Sequence, residues 1–214
     1  SEVVTLQSTR PPHLVKQAFD GDAREVILDW NPFHHGEVMF RKGVFDEVGG
    51  YRPFFVCAQD RDLWCRMSQH CHFLVLDDVL YRKFAKVPGS VAADPGRLLL
   101  QRHLSDFALY CHRERLAGRQ DPLEQFGEQG ALFRPPSREL ARDICVIGSR
   151  YAADGNLDAA RTCFRRARNE NGYIPARLLL AAATLTPGIL LGAGEFWRKL
   201  LRVVQKARWS EARR

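Results

Sequence analysis

The hydrophobic positions change rhythm along the chain. In the first half, short apolar runs alternate with turn residues; later, apolar residues recur at the three-to-four spacing of amphipathic helices. Ser1 to Asp29 is weakly patterned: Pro11-Pro12 interrupts any helix, and a short helix is predicted from Pro12 to Phe19. Asn31-Pro32 is a turn signal, and Glu37 to Phe40 reads as a short strand with Val38 and Phe40 on one face. Val44, Phe45 and Val48 sit at helical spacing within Lys42 to Val48, and Gly49-Gly50 supplies the left-handed cap that ends that helix. A second amphipathic helix follows Asp60, with Leu63, Trp64 and Met67 on its apolar face. Phe73 to Leu76 reads as a buried strand, Val79 to Arg82 as another, and Pro88-Gly89 as a turn.

A long helix is predicted from about Pro95 to Ala117, broken by Gly118. Gln120 to Pro136 is polar and rich in Pro and Gly, the composition of a linker. Helices are predicted at Arg138 to Asp154, Leu157 to Asn169, Ile174 to Leu185 and Gly194 to about Arg208. The fold class is therefore α+β and mostly helical. Its parts are an N-terminal portion over 1–119 with a few short strands, a linker over 120–136, and a helical C-terminal domain over 137–214.

Composition narrows the classes. The 214 residues are 45% hydrophobic and 27% charged, which suits a packed core and excludes a disordered or fibrous chain. The net charge of +7 is concentrated at the end: Glu195 to Arg214 holds seven basic residues against two acidic ones. With no aromatic-rich sheet motif or zinc pattern beside that charge, nucleic-acid binding is not expected. The last helix sets Phe196, Trp197, Leu200, Leu201, Val203 and Val204 against a basic face, a pattern suited to peripheral contact with anionic lipid or to a solvated helix. No charged and apolar leader opens the sequence. Leu178 to Leu191 is too short and too interrupted to span a bilayer. Six scattered cysteines without a CxxC pair fit reduced thiols, and a cytoplasmic, membrane-associated or freely soluble location is the expectation. Cys65, His70, Cys71 and His72 cluster in sequence but lack the paired spacing of a structural zinc site.

Two histidines, His34 and His35, precede an acid at a loop-to-helix junction, Asp60. A carboxylate there is either a cap accepting backbone N–H bonds or a general base. Three successive stretches resemble family 2 glycosyltransferases, whose catalytic domain has the GT-A fold. They are His35-Gly36-Glu37-Val38-Met39-Phe40-Arg41, Phe45-Asp46-Glu47-Val48-Gly49-Gly50-Tyr51 and Ala58-Gln59-Asp60-Arg61-Asp62-Leu63-Trp64-Cys65-Arg66. In that family the aspartate at the position of Asp60 deprotonates the acceptor hydroxyl, which attacks a nucleotide-activated sugar with inversion. The resemblance makes Asp60 the catalytic residue, with His34, His35, Gln59 and Arg66 on the acceptor side. Gln59 stands where the family usually has Glu, and Lys83 and Lys86 follow where many relatives place a diphosphate- or metal-contacting histidine. Either lysine is suited to steady a leaving diphosphate, and solvated loop lysines are the alternative.

The strand-helix alternation and Asp-x-Asp metal motif of the family's nucleotide-binding half do not precede Asn31; Asp20-Gly21-Asp22 reads as a turn. The resemblance thus covers the acceptor-side half. It implies a nucleotide-sugar donor, a glycan or lipid-linked acceptor and a divalent Mg or Mn ion whose ligands this chain does not show, and it implies that the chain alone is inactive. Further on, Ile147-Gly148, Tyr151, Gly155, Ala160, Phe164 and Ala167 resemble a single tetratricopeptide repeat. A lone repeat reads as a helical hairpin or as part of a peptide-binding groove. The functional expectation is an inverting glycosyltransferase in surface polysaccharide or glycan synthesis; the alternative is a non-catalytic helical interaction module.

Overall fold

The computed structural model describes residues 2–5, 13–14, 19–29, 31, 33, 35–76, 78, 80–85 and 94–186. The expected turn at Pro88-Gly89 and the basic helix from Gly194 lie outside the described residues. The chain divides into two compact units, Ser1–Arg134 and Pro135–Arg214, and is α+β and mostly helical. Among the described residues, no helix is long and apolar enough to cross a membrane.

In the first unit, β1 (Glu2–Thr5) pairs antiparallel with β2 (His13–Leu14) and parallel with β5 (Arg82–Ala85), so that Glu2 faces Arg82 and Thr5 faces Ala85. Separately, β3 (Phe19–Gly21) pairs antiparallel with β4 (Phe73–Val75), Phe19 facing Val75. Two expectations are corrected. Of the helix expected from Pro12 to Phe19, the described residues are strand, His13–Leu14 paired with the nearby β1 and Phe19 with the distant β4, because strand pairing overrides weak local preference. The strand at Glu37 to Phe40 is instead a 3-10 turn, His35–Glu37, followed by irregular chain that leaves Met39 in solvent. Phe73–Val75 is a strand, but Leu74 is exposed and the element is buried on one face only. The second strand begins at Arg82, three residues later than its predicted start at Val79.

Helices α1 (Val26–Asp29) and α2 (Lys42–Glu47) flank the key element, α3 (Gln59–Met67). Every residue from Arg61 to Met67 is buried. On one side Leu63, Trp64 and Met67 join Ile27, Phe33 and Phe73 in a core. On the other lies a second core of Phe55, Ala58, Leu104, Phe107 and Cys111, and α4 (Pro95–Leu116) contributes its last three members. Asp94 caps α4 by accepting from Arg97 N at 3.0 Å, with Pro95 in the first turn.

A helix buried all round must satisfy its charges internally. Arg61 donates to the Ile27 carbonyl at 2.7 Å. Asp62, 0% exposed, accepts from Arg66 at 2.8 Å and from Arg52. Arg52 also reaches Asp121 at 2.8 Å, and Arg115 pairs with the same carboxylate. Burial alone would raise the Asp121 pKa, but the two guanidiniums together hold it below the usual carboxylate value. The expected linker is thereby corrected: Asp121 is buried and caps α5 (Pro122–Phe126), and a 3-10 segment (Gly127–Phe133) follows. Gly130 lies so tightly against the Pro122 carbonyl that no side chain fits, which is why a Gly/Pro-rich stretch is ordered structure here.

His112, fully buried on α4, donates from Nε2 to the Arg24 carbonyl at 2.8 Å, and among the described residues its Nδ1 has no partner. Burial, reinforced by Arg115, Arg61 and Arg113, holds its pKa below the usual 6.5. The unfolded chain therefore takes up a proton near pH 6.5 that the folded chain refuses, so acid favours unfolding. Urea unfolding is expected to give a lower stability at about pH 5.5 than at about pH 7.5, with the difference reduced in His112→Gln.

The second unit contains α6 (Arg138–Ala153), α7 (Leu157–Asn171) and α8 (Ile174–Leu185). Ser137 and Asn156 cap the first two, accepting from Leu140 N at 3.0 Å and Ala159 N at 3.1 Å. Gly155, with φ 83°, makes the turn that sends α7 back along α6. Close approach of the pair rests on Gly148: a Cβ there would lie 2.7 Å from the Phe164 ring and 2.9 Å from Cys163 Cβ. Gly148→Val is expected to destabilise this unit by about 2–3 kcal/mol in urea melts, because the overlap outweighs valine's gain in helix propensity over glycine. Arg161 donates to the Ala183 carbonyl at 2.8 Å, satisfying an orphan acceptor in the last turn of α8.

Candidate functional site

The Gly49-Gly50 turn, with φ 75° and 65°, closes α2 and is clamped onto α3. Arg66 donates to the Val48 carbonyl, to the Gly50 carbonyl at 2.6 Å and to Asp62. Gly50 also admits the Phe45 ring, which a Cβ would meet at 2.9 Å. The next residue, Tyr51, is 40% exposed, packs edge-on to Phe45, and has its hydroxyl 2.8 Å from His35 Nε2. Tyr81 brings its hydroxyl against Gly36, where a larger residue would require the Tyr81 ring to shift.

Among the described residues, Ala58, at φ 58° and ψ 24°, is the non-glycine residue in the left-handed region. That conformation costs an L-residue about 1–2 kcal/mol. Burial of its methyl group with Phe55 and Phe107 holds it there. The result is a sharp entry into α3 that starts the helix at Gln59 and Asp60. No side chain caps this helix start. Asp62 sits two residues further in and forms ion pairs.

Asp60 stands apart from the other acids of this region. It is half-buried, and among the described residues its carboxylate forms no hydrogen bond or ion pair, so it is not a cap. Burial, and after it the Asp60 charge, raises the Tyr51 phenol above its ordinary pKa of 10. Trp64, one turn further along α3 and on the same face, lies 6.4 Å from the His35 ring and 5.8 Å from Phe40, centre to centre. Its indole N–H has no acceptor among the described residues. His35 thus links the Tyr51 hydroxyl to the Trp64 ring, and Asp60 lies one helical turn before Trp64 on the same face of α3.

The other expected residues fall as follows. Gln59 begins α3, half-buried. Arg66 is buried and turned into the protein, where it pairs with a carboxylate near the loop, Asp62. Lys83 lies in β5 opposite Val3, and its side chain is not described. His34 and Lys86 lie outside the described residues. Tyr51 and Tyr81 carry no site signal of their own in the sequence: Tyr51 closes the second of the three family-like stretches, and Tyr81 lies in a predicted strand.

The described residues bring together no group of three or more His, Cys, Asp or Glu side chains suited to a metal ion. Burial pushes the Cys65 thiol up to about 11, His70 bonds Glu47 at 2.8 Å, and Cys71 donates to the Met67 carbonyl. Asp20 and Gly21 belong to β3 rather than to a turn, and Asp22 is held down to about pKa 2 by its hydrogen bonds with Arg24. These residues do not fit a divalent centre.

Comparison with family models, with curated proteins and with solved structures finds no match to this chain.

Proposed function

We propose that this chain carries the acceptor side of an inverting glycosyltransferase of GT-A type, resembling family 2, with Asp60 as general base. The observation that carries the reading is the contrast between two aspartates of one helix. Asp62 is fully buried between two arginines, whereas Asp60, among the described residues, forms no hydrogen bond or ion pair and lies one helical turn before Trp64, whose ring meets the His35 that bonds Tyr51. An alcohol needs a positioned base at neutral pH. In the proposed step Asp60 takes the acceptor hydroxyl proton as the oxygen bonds the anomeric carbon. The bond from that carbon to the nucleoside diphosphate breaks, and its electron pair leaves with the diphosphate.

Arg66 and Arg52 act as positioning residues, fixing the Gly49-Gly50 turn and the start of α3 relative to each other. Lys83 and Lys86 are proposed to meet the diphosphate. The acceptor is a glycan or lipid-linked saccharide, and the basic segment from Glu195 is proposed to touch a membrane surface.

The test is sugar transfer by the polypeptide of the complete reading frame, with and without Asp60→Asn. A second reading, an interaction module, draws on an open groove of about 670 Å³ in the C-terminal unit, lined by Arg168, Arg177, Leu180 and Leu185. Retention of partner binding by Asp60→Asn, in a protein whose wild type transfers no sugar, would favour that reading.

A further inference from the structure

The side chains linked to Asp60 through α3 include one group with no assigned task. We propose that Tyr51 is a positioning residue whose hydroxyl, oriented by His35, hydrogen-bonds the acceptor sugar hydroxyl and presents it to Asp60. The proposal rests on Asp60 being the base.

A phenol offers one donor and two acceptor positions, so its 2.8 Å bond to His35 leaves capacity for a ligand. The Tyr51 side chain is partly exposed, so that capacity faces accessible space. Its position is fixed from three directions: His35 at the hydroxyl, the Phe45 ring at its side, and the Gly50 carbonyl held by Arg66 just before it in the chain. Asp60 is tied to this group through α3. It lies one helical turn before Trp64 on α3, and the Trp64 ring contacts the His35 that holds Tyr51. Phe40, exposed and stacked on Phe45 with centroids 5.4 Å apart, adds an apolar surface. A carboxylate, a phenol and an imidazole rimmed by aromatic rings suit a neutral pyranoside, which offers hydroxyls on its edge and C–H groups on its face. An anion would meet the Asp60 charge. The hydroxyl proton passes to Asp60 as described above; Tyr51 keeps its own proton throughout.

The experiment uses methyl pyranosides of glucose, galactose, mannose and N-acetylglucosamine as probes. Binding to the full chain is read by saturation-transfer NMR, and acceptor kinetics are read on the polypeptide of the complete reading frame. Tyr51→Phe is expected to weaken the best-bound pyranoside about tenfold and to raise its KM by a similar factor. Its kcat should change less than about threefold and its melting temperature should not move. Wild-type affinity and KM in Tyr51→Phe, with Asp60→Asn inactive, would overturn this inference and leave the base assignment standing. Full transfer by Asp60→Asn would overturn the base assignment and with it the presentation of the hydroxyl to Asp60. A Tyr51-dependent loss of pyranoside binding would then mark a sugar contact alone. Failure of the wild-type chain to bind any of the four probes would also overturn the inference.

Discussion

Replacing Asp62 with alanine is expected to destabilise the N-terminal unit by about 3–5 kcal/mol, the usual consequence of removing one partner from a buried ion pair. Asp62 is 0% exposed and lies between Arg52 and Arg66, with side-chain exposures of 15% and 6%. Its loss leaves Arg52 with Asp121, a carboxylate already shared with Arg115. Arg66 keeps only the Val48 and Gly50 carbonyls. The free energy comes less from Coulomb attraction, which desolvation largely offsets, than from stranding guanidinium groups away from water. Asp62→Asn keeps one acceptor oxygen and should cost less, about 2 kcal/mol. Urea denaturation of the three proteins checks the order; equal stability of wild type and Asp62→Ala would show that the arginines find other partners.

Asp60→Asn is expected to do the reverse: stability within about 0.5 kcal/mol of wild type, as for surface substitutions, and sugar transfer lower by about 10²–10⁴-fold, the usual contribution of a positioned general base. The stability expectation follows from the absence, among the described residues, of any hydrogen bond or ion pair to its carboxylate. The activity expectation follows from asparagine's inability to accept the hydroxyl proton while keeping nearly the same shape. Donor binding should be unaffected, because the exchange leaves the nucleotide-sugar contacts in place. Initial-rate kinetics with donor-binding isotherms on the complete reading frame separate these effects. Retained turnover would remove Asp60 from the base role.

Asp60 and Asp62 also show how far local sequence reaches. Both are acids in the first turn of α3, and by position either one suits a cap or a site. The partner that separates them, Arg52, is ten residues away, and the next member of the network, Asp121, is 69 residues beyond Arg52. Asp121 itself lay in a stretch whose Pro and Gly content resembled a linker, and the ion pairs that make it ordered structure come from elsewhere in the chain. The same holds for β1 and β5, whose pairing joins Glu2–Thr5 to Arg82–Ala85 far along the chain, so neither strand carries a strong local signal.

The sequence by itself determined the elements whose causes are local. These are α2 with its two closing glycines, α3 by its apolar spacing, α4 by Pro95 and Gly118, and α6 to α8 by their helical periodicity. It also pointed to Asp60 and His35, through the order of three short motifs. Only the tertiary structure decided that Asp62 is a structural ion rather than a cap, that Arg66 faces inward, and that the Tyr51 hydroxyl bonds His35. Each of those outcomes depends on desolvation and on partners distant in sequence, and neither quantity is present in a window of neighbouring residues.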